Sequence, residues 1–473
     1  MSELDVRRLT TKIVPGTCLA WNLKMTRPMN LPSFSIVVVA WALGSGRAWA
    51  EPQAPGPSSV HLEESLDRRT VLRAAVERNP SLRVSEQRAR AMRTSAKAEG
   101  GLPSPEVMGQ VWQVPVSHPT QLDAQMIMIG VTQTFPAPGV LSAREQSMAA
   151  QANQEQAMAG DRTRMILREA GHAFSDYQES SGKHHVHRAH LQITQHLLDI
   201  AEARHASGGS LVDVTRAEVE LSRVEADVVT DAALVESARS HLNALLARDP
   251  DAALGQPIET EPMVPSWDVP TLLAKAQASR SEFKQALAER EAREYAVKAA
   301  EREATWPSFA VGALYFAPTT AMPFHSYGAT LSMSMPWLWG ALGDKRDAER
   351  EFARAASTNV EAARIPVNAE VVTAESRARS AASRLQILRD RTLPASRRSF
   401  EVAQAGFESG RIDLMTVIDT RRSVIDVEHE IVMARSDLDH ALTDLEAAVG
   451  TEIPLKPLKP FDDKQRSGGE HVH

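Results

Sequence analysis

The chain has 473 residues, 43% of them hydrophobic and 24% charged, with a formal net charge of −7 and a single cysteine, Cys18. One thiol excludes a disulfide-built scaffold, and the acidic balance argues against a nucleic-acid partner. No stretch reaches the ~18 uninterrupted apolar residues that a membrane-spanning helix needs.

At the N-terminus, Lys24 and Arg27 precede an apolar run from Phe34 to Leu43, and Ala48-Trp49-Ala50 has the small-x-small form of a signal-cleavage site. Residues 1–50 therefore read as a signal peptide with an upstream region, Met25 and Met29 being alternative starts. This segment carries six Lys/Arg against two Asp/Glu, so its removal leaves a thiol-free chain near −11, which suits an exported conduit tolerant of cations.

Residues 67–100 follow a helical period, after which the period drops to two. Strands are expected near 105–114 and 125–135, where Gln125, Ile127, Ile129, Val131, Gln133 and Phe135 alternate with Met126, Met128, Gly130, Thr132 and Thr134. A helix over 143–207 comes next, ~100 Å long at 1.5 Å per residue, with Gly160, Gly171 and Gly182 as its expected weak points. It ends at the turn Ser207-Gly208-Gly209-Ser210. Residues 212–248 then carry a coiled-coil seam: Val214, Ala217, Leu221, Val224, Val228, Asp231, Val235, Ala238, Leu242, Leu245.

A Pro-rich linker over 251–269 leads to a second copy of this order. It has a helix over 271–303, strands near 309–316 and 326–335, and a long helix over 344–409 that Pro366 and Pro394 should kink. The turn Ser409-Gly410-Arg411-Ile412 opens a helix over 412–449 whose seam runs Val417, Thr420, Val424, Val427, Ile431, Ala434, Leu438, Ala441, Leu445, Ala448. Every seam position is displaced by the same 203 residues. The domains are thus a first repeat at 51–250, the linker, a second repeat at 270–450 and a tail at 451–473 that should be disordered beyond Pro454.

Strands of about ten residues with one apolar and one small polar face match a membrane β-barrel, although a soluble sheet covered on one face fits the strands alone. Four strands cannot close a barrel, and an open edge is not tolerated in lipid, so several chains must pool their strands. Odd positions such as Ile127, Ile129, Val131, Ala329 and Leu331 should then face lipid, and Thr132, Ser332 and Ser334 the lumen. Each half-length helix pair laid end to end beside one long helix makes a wall of constant height.

The stretch from Leu393-Pro394-Ala395 through Phe407-Glu408-Ser409-Gly410-Arg411-Ile412-Asp413-Leu414 resembles a segment of the TolC family of outer-membrane efflux proteins. Ala206-Ser207-Gly208-Gly209-Ser210-Leu211-Val212-Asp213-Val214 is similar but lacks the aromatic residue before the turn, and Phe135-Pro136-Ala137-Pro138-Gly139 resembles the family's passage from strand to helix, echoed by Met335-Pro336-Trp337. The resemblance covers nearly all of the chain after residue 50. It implies a mainly α fold with a small membrane β part: a homotrimer whose twelve strands form one barrel in the outer membrane, continuous with a periplasmic α-helical barrel. It also implies an inner-membrane pump and a periplasmic adaptor as partners, contact with outer-membrane lipid, and no cofactor. Metal ions, drugs and, through a type I exit duct, proteins are all cargoes of the family, so cargo does not follow from fold. A secreted coiled-coil scaffold without a pore is the alternative, and it leaves the strands unexplained.

On this resemblance the adaptor-docking tips are Gly208, Gly209, Ser210, Gly410, Arg411 and Ile412, and the pore aperture carries Asp213, Arg411 and Asp413. The plainer expectation for the two acids is helix capping. His184, His185, His187 and His190, with His172, His196 and His205 nearby, suggest metal chemistry. No acid or thiol is interleaved, so a solvated helix face is expected, no metal site is assigned and the metal-efflux branch stays open. Met126, Met128, Met333 and Met335 read as packing or lipid contacts. No motif of enzymatic catalysis is present.

Overall fold

The structure, a computed structural model, describes residues 62–112, 126–320 and 323–461. The signal segment, the loop at Pro115–Pro119, Met322 and the terminal His471–His473 lie outside the described residues. The first repeat comprises β1 (Ser65–Leu66), α1 (Arg68–Arg78), α2 (Pro80–Glu99), β2 (Glu106–Trp112), β3 (Met126–Phe135), α3 (Val140–Ala206) and α4 (Leu211–Leu245). After β4 (Gln256–Pro257) and β5 (Met263–Pro265), the second has α5 (Val269–Ser279), α6 (Ser281–Thr305), β6 (Phe309–Ala317), β7 (Ser326–Met333), α7 (Ala341–Ala362), α8 (Arg364–Ile387), α9 (Leu393–Glu408), α10 (Leu414–Val449) and β8 (Leu455–Pro457).

Helix α3 is unbroken over 67 residues, because nothing between Gly139 and Ser207 removes a backbone donor. Its glycines are not weak points. Gly160, Gly171 and Gly182 recur every eleven residues, which returns them to one face of the helix. There they admit neighbouring helices: a Cβ at 171 would stand 2.7 Å from Thr443 Cγ2, and one at 182 would stand 2.9 Å from Val432 Cγ1. The second long strut is segmented where its prolines fall. Pro366 cannot donate to Ala362, and the helix breaks at Ala363; ahead of Pro394 the chain widens into a π-turn over Leu388–Thr392.

The half-length helices meet end to end beside each strut. In the first repeat, Val71, Ala74 and Ala75 of α1 and Leu242 of α4, with Leu246 beyond its end, bury together against Ile166, Ala170, Phe174 and Tyr177 of α3. The second repeat repeats the plan, with Leu272 and Ala276 of α5 and Leu445, Ala448 and Val449 of α10 on Val367, Val371 and Ala374 of α8. Both repeats also interrupt the upper helix at one place. Asn79 does so in the first, its carboxamide oxygen accepting from Ser81 N at 2.9 Å ahead of Pro80. In the second it is Arg280, whose buried guanidinium donates to the carbonyls of Ala447 and Ala448 at 2.9 Å near the end of α10. The two seams differ in width: α4 buries a stripe, whereas α10 is covered by α3, α5, α8 and α9 and buries most of its circumference.

Linker and tail are tied down by sheets too short to show a period. β1 pairs with β4 in parallel, and β5 with β8 antiparallel. The tail therefore stays ordered past Pro454: Leu455 and Leu458 pack on the core of α8 and α10, and Phe461 N donates to Asp390 Oδ2 at 2.8 Å.

The four longer strands form one antiparallel sheet in the order β2-β3-β6-β7. Its register pairs odd positions with odd and even with even throughout, for instance Gly109 with Ile129, Ile129 with Tyr315 and Tyr315 with Tyr327. Directly paired residues share a face, so all odd positions lie on one side. That side is apolar and exposed at Val107, Val111, Ile129, Val131, Val311, Tyr327 and Leu331. The even side carries Thr132, Thr134, Thr330 and Ser332, as a lumen face requires. Met126 and Met128 fall on this even side, away from lipid, and only Met333 of the strand methionines shares the apolar one. Among the described residues of one chain, β2 and β7 each keep one edge unpaired. No helix among the described residues is long and apolar enough to cross a membrane.

Candidate functional site

The two helical turns come together at one end of the molecule. At the first, Gly208 takes φ +100, its N–H and that of Gly209 donate to the carbonyls of His205 and Arg204, and Ser210 Oγ caps α4 by accepting from Val212 N at 3.2 Å. At the second, Gly410 takes φ +76, and the N–H groups of Arg411 and Ile412 both donate to Gly406 O, at 2.8 and 3.2 Å. Ile412 folds back over Gly406, where a Cβ would stand 2.5 Å from its Cδ1. Beneath the turns, Leu197, Leu198, Ala201, Val214 and Ala217 of the first hairpin share one core with Ala403, Phe407, Leu414, Val417 and Ile418 of the second.

Between the turns opens a cleft of about 450 Å³ lined by Gly208, Gly209, Ser210, Asp213, Ile412 and Asp413, together with Arg204 and Phe407. Gly410 and Arg411 stand outside this lining; Arg411 Nε donates to Ser409 Oγ at 3.0 Å. Asp413 is the N-cap of α10, accepting from Thr416 N at 3.2 Å and from the Thr416 hydroxyl, and these bonds hold its carboxyl below the ordinary aspartate value. In α4 the capping falls to Ser210, leaving Asp213 in the first turn beside the positive end of the helix. Arg204 places its guanidinium 4.4 Å from the centroid of Phe407. Neither residue stands out as a site in sequence, because their pairing requires the two repeats to be folded together.

Above the tips the hairpins are joined by charge. Arg422 Nε donates to Glu220 Oε1 at 3.0 Å, linking α10 to α4. The adjacent Arg421 is 1% exposed and donates to His190 O at 2.9 Å; burial lowers its pKa to about 10.

The histidines divide: His185, His196 and His205 are exposed as expected of a solvated face, whereas His187 and His190 turn to facing helices. His187 Nδ1 lies 2.7 Å from Asp231 Oδ2 on α4, and His190, 6% exposed, lies 2.8 Å from Glu428 Oε2 on α10. The acids missing from the local sequence come from the facing helices. Two imidazole pairs also bridge α3 and α10, His172 stacked on His440 at 4.7 Å and His187 edge-on to His429 at 4.3 Å. Burial and the neighbouring imidazole lower the pKa of His429; burial lowers that of His172, whereas the Asp176 hydrogen bond raises that of His440. Among the described residues no group of three or more His, Cys, Asp or Glu could hold a metal ion.

Aromatic side chains are exposed at both ends of the sheet. Phe135, Phe309, Trp337 and Trp339 are exposed near the helical end, and Phe324 and Tyr327 at the far end. Such belts mark the two interfaces of an apolar band in a membrane barrel.

The profile described as outer membrane efflux protein matches residues 71–248 and again 272–451. Among solved structures the chain is similar to the outer-membrane channel OprN, at 19% identity and TM-score 0.67 over 84% of this chain and 94% of that one. It is also similar to the outer membrane protein VceC of Vibrio cholerae, at 16% identity and TM-score 0.67 over 81% of this chain and 96% of that one. For CusC the values are 15% identity and TM-score 0.70, over 82% of this chain and 93% of that one. No curated protein sequence matches. At such identities the structural likeness establishes the fold, and the two profile copies, coincident with the two structural repeats, establish the family: the chain belongs to the outer membrane efflux protein family.

Proposed function

We propose that three copies of this chain form the outer-membrane exit duct of a tripartite efflux system, receiving cargo from an inner-membrane pump through a periplasmic adaptor. The observation that carries this reading is the joint core under the two tips, which presents both turns on one rim at the end opposite the apolar strands. Gly208, Gly209, Ser210, Gly410, Arg411 and Ile412 form the adaptor-docking edge. Asp213 and Asp413, with Arg411 beside them, line the aperture. A pore-free scaffold would have no use for a sheet whose exposed face is apolar across four strands.

Three copies of two acids at a narrow rim favour cation passage. Asp413→Asn tests this cleanly, since asparagine caps a helix as well as aspartate does and only the charge is lost. In planar bilayers under a salt gradient the unmodified trimer should be cation-selective, and Asp413→Asn and Asp213→Asn should each weaken that selectivity. Anion selectivity at the outset, or no change in either variant, removes these acids from the pore.

A further inference from the structure

The even face of the sheet changes character along its height. Toward the helices it is small and polar: Thr132 pairs with Glu106 and Gly312, Gly312 with Thr330, and Ala310 with Thr134 and Ser332. Toward the outer end it becomes mainly hydrocarbon, interrupted by Gln110, which pairs with Met128, and Ser326, which pairs with Phe316. Met108 and Leu314 both pair with Gly130, Phe316 pairs with Met128, and Trp112 pairs with Met126.

The glycines show how these side chains lie. At Gly312 a Cβ would meet two hydroxyls, Thr330 Oγ1 at 2.5 Å and Thr132 Oγ1 at 2.7 Å. At Gly130 it would instead meet Leu314 Cδ2 at 2.7 Å and Met108 Cγ at 3.1 Å, and at Gly328 it would meet Phe316 Cε2 at 3.2 Å. The apolar side chains therefore lie over the wall and fill the glycine hollows at Gly130 and Gly328, leaving Gln110 and Ser326 as polar breaks in an otherwise apolar patch. Glu106 is the sole charged residue on this face among the described strand residues. It sits one pleat below Met108, about 7 Å along the strand.

A water-filled lumen gains nothing from such a lining, since wetting apolar surface costs roughly 25 cal/mol per Å². Twelve strands about 4.8 Å apart and tilted about 40° give a backbone diameter near 24 Å, so side chains leave an opening on the order of 12 Å. That is too wide to shut out water and wide enough to hold a small organic molecule against one wall. An apolar wall above a carboxylate suits one kind of solute.

We propose that the outer half of the lumen is a binding collar for lipophilic organic cations in transit, with Met108, Met128, Leu314 and Phe316 as its apolar wall and Glu106, at its inner margin, as its charge. The collar rests on the exit-duct reading and adds a cargo class to it. Tetrabutylammonium and tetramethylammonium, equal in charge and unequal in apolar surface, are the probes, measured by equilibrium dialysis against the trimer in lipid nanodiscs with empty discs subtracted. The unmodified trimer should retain tetrabutylammonium at least tenfold more tightly. In Met128→Gln/Leu314→Gln/Phe316→Gln the preference should fall to within twofold, and Glu106→Gln should weaken both ions alike. If the triple variant does not assemble, Phe316→Gln alone should lower the preference at least threefold. Equal retention of the two ions by the unmodified trimer, or an undiminished preference in the assembled variants, overturns the collar. Bilayer conductance of the same preparation separates the layers of the argument: a conducting trimer without the preference removes the collar alone, whereas a non-conducting one removes the duct.

Discussion

Gly171→Ala isolates the packing that joins the two repeats. In an open helix this change is stabilising by about 1 kcal/mol, because alanine is the better helix former. Here the new methyl arrives 2.7 Å from Thr443 Cγ2 and 3.0 Å from Thr443 Oγ1. Thr443 cannot turn away freely: its hydroxyl donates to Asp439 O at 2.8 Å and accepts from Arg68 Nη2 at 3.1 Å. Rotation would cost both bonds, about 1 kcal/mol each, and holding still would overpack the contact by ~1–3 kcal/mol. The cheaper of the two responses costs about 1–2 kcal/mol, so the propensity gain is cancelled and the net is a loss of up to about 1 kcal/mol per chain. Thr443→Ser removes the closer atom and keeps the hydroxyl, so in that background the same glycine change should cost about 1 kcal/mol less. The assay is the thermal midpoint of helical circular dichroism for the four proteins of the cycle in one detergent. A Gly171→Ala protein that melts higher than the parent, or an identical shift in both backgrounds, would refute the argument that these glycines exist for close approach.

Two further outcomes are expected. Ile129→Arg on the apolar face should lower assembly by roughly 2–4 kcal/mol near the middle of the membrane, and Thr132→Arg on the lumen face should be milder; equal trimer yields in outer-membrane extracts would cancel the assigned facing. On acidification, His172 and His429 resist in the fold the proton that the unfolded chain accepts near 6.5, so their contribution is complete above that value and is lost as pH falls through and below it. His440, with its raised value, works in the opposite sense and loses its contribution as pH rises. His429→Gln should therefore reduce the drop in thermal midpoint between pH 7 and pH 5, and an unchanged drop would show that this buried imidazole does not control it.

Much of this architecture was legible because it is periodic. Alternation alone assigns the two faces of the sheet, since one parity runs unbroken from Val107 to Leu331, and Pro366 and Pro394 mark the interruptions of the second strut through the donors they lack. What stayed hidden depends on partners far along the chain. Asp231 lies 44 residues from His187 and Glu428 lies 238 from His190, so no local pattern reveals that these imidazoles are buried against acids. Glycine in a helix has two opposite meanings, weakness or close approach, and only the neighbouring helix decides between them at Gly171 and Gly182. The cleft at the tips was half visible, its turns announced by glycine and its Arg204–Phe407 wall divided between the repeats.

The unpaired edges of β2 and β7 carry a consequence for the life of the protein in the cell. Each open backbone group in hydrocarbon costs several kcal/mol, so a single chain has no stable residence in the bilayer. Insertion becomes an event of the complete set, and its rate climbs steeply with the supply of subunits. Chains made in short supply wait outside the membrane with Val107, Tyr327 and Leu331 bare, exposed to chaperones and proteases. In the proposed trimer, one copy with a damaged edge also withdraws two sound partners from use. In an equal mixture of sound and damaged subunits only about one assembly in eight is free of damage, so a single defective allele silences far more channels than its share of the protein.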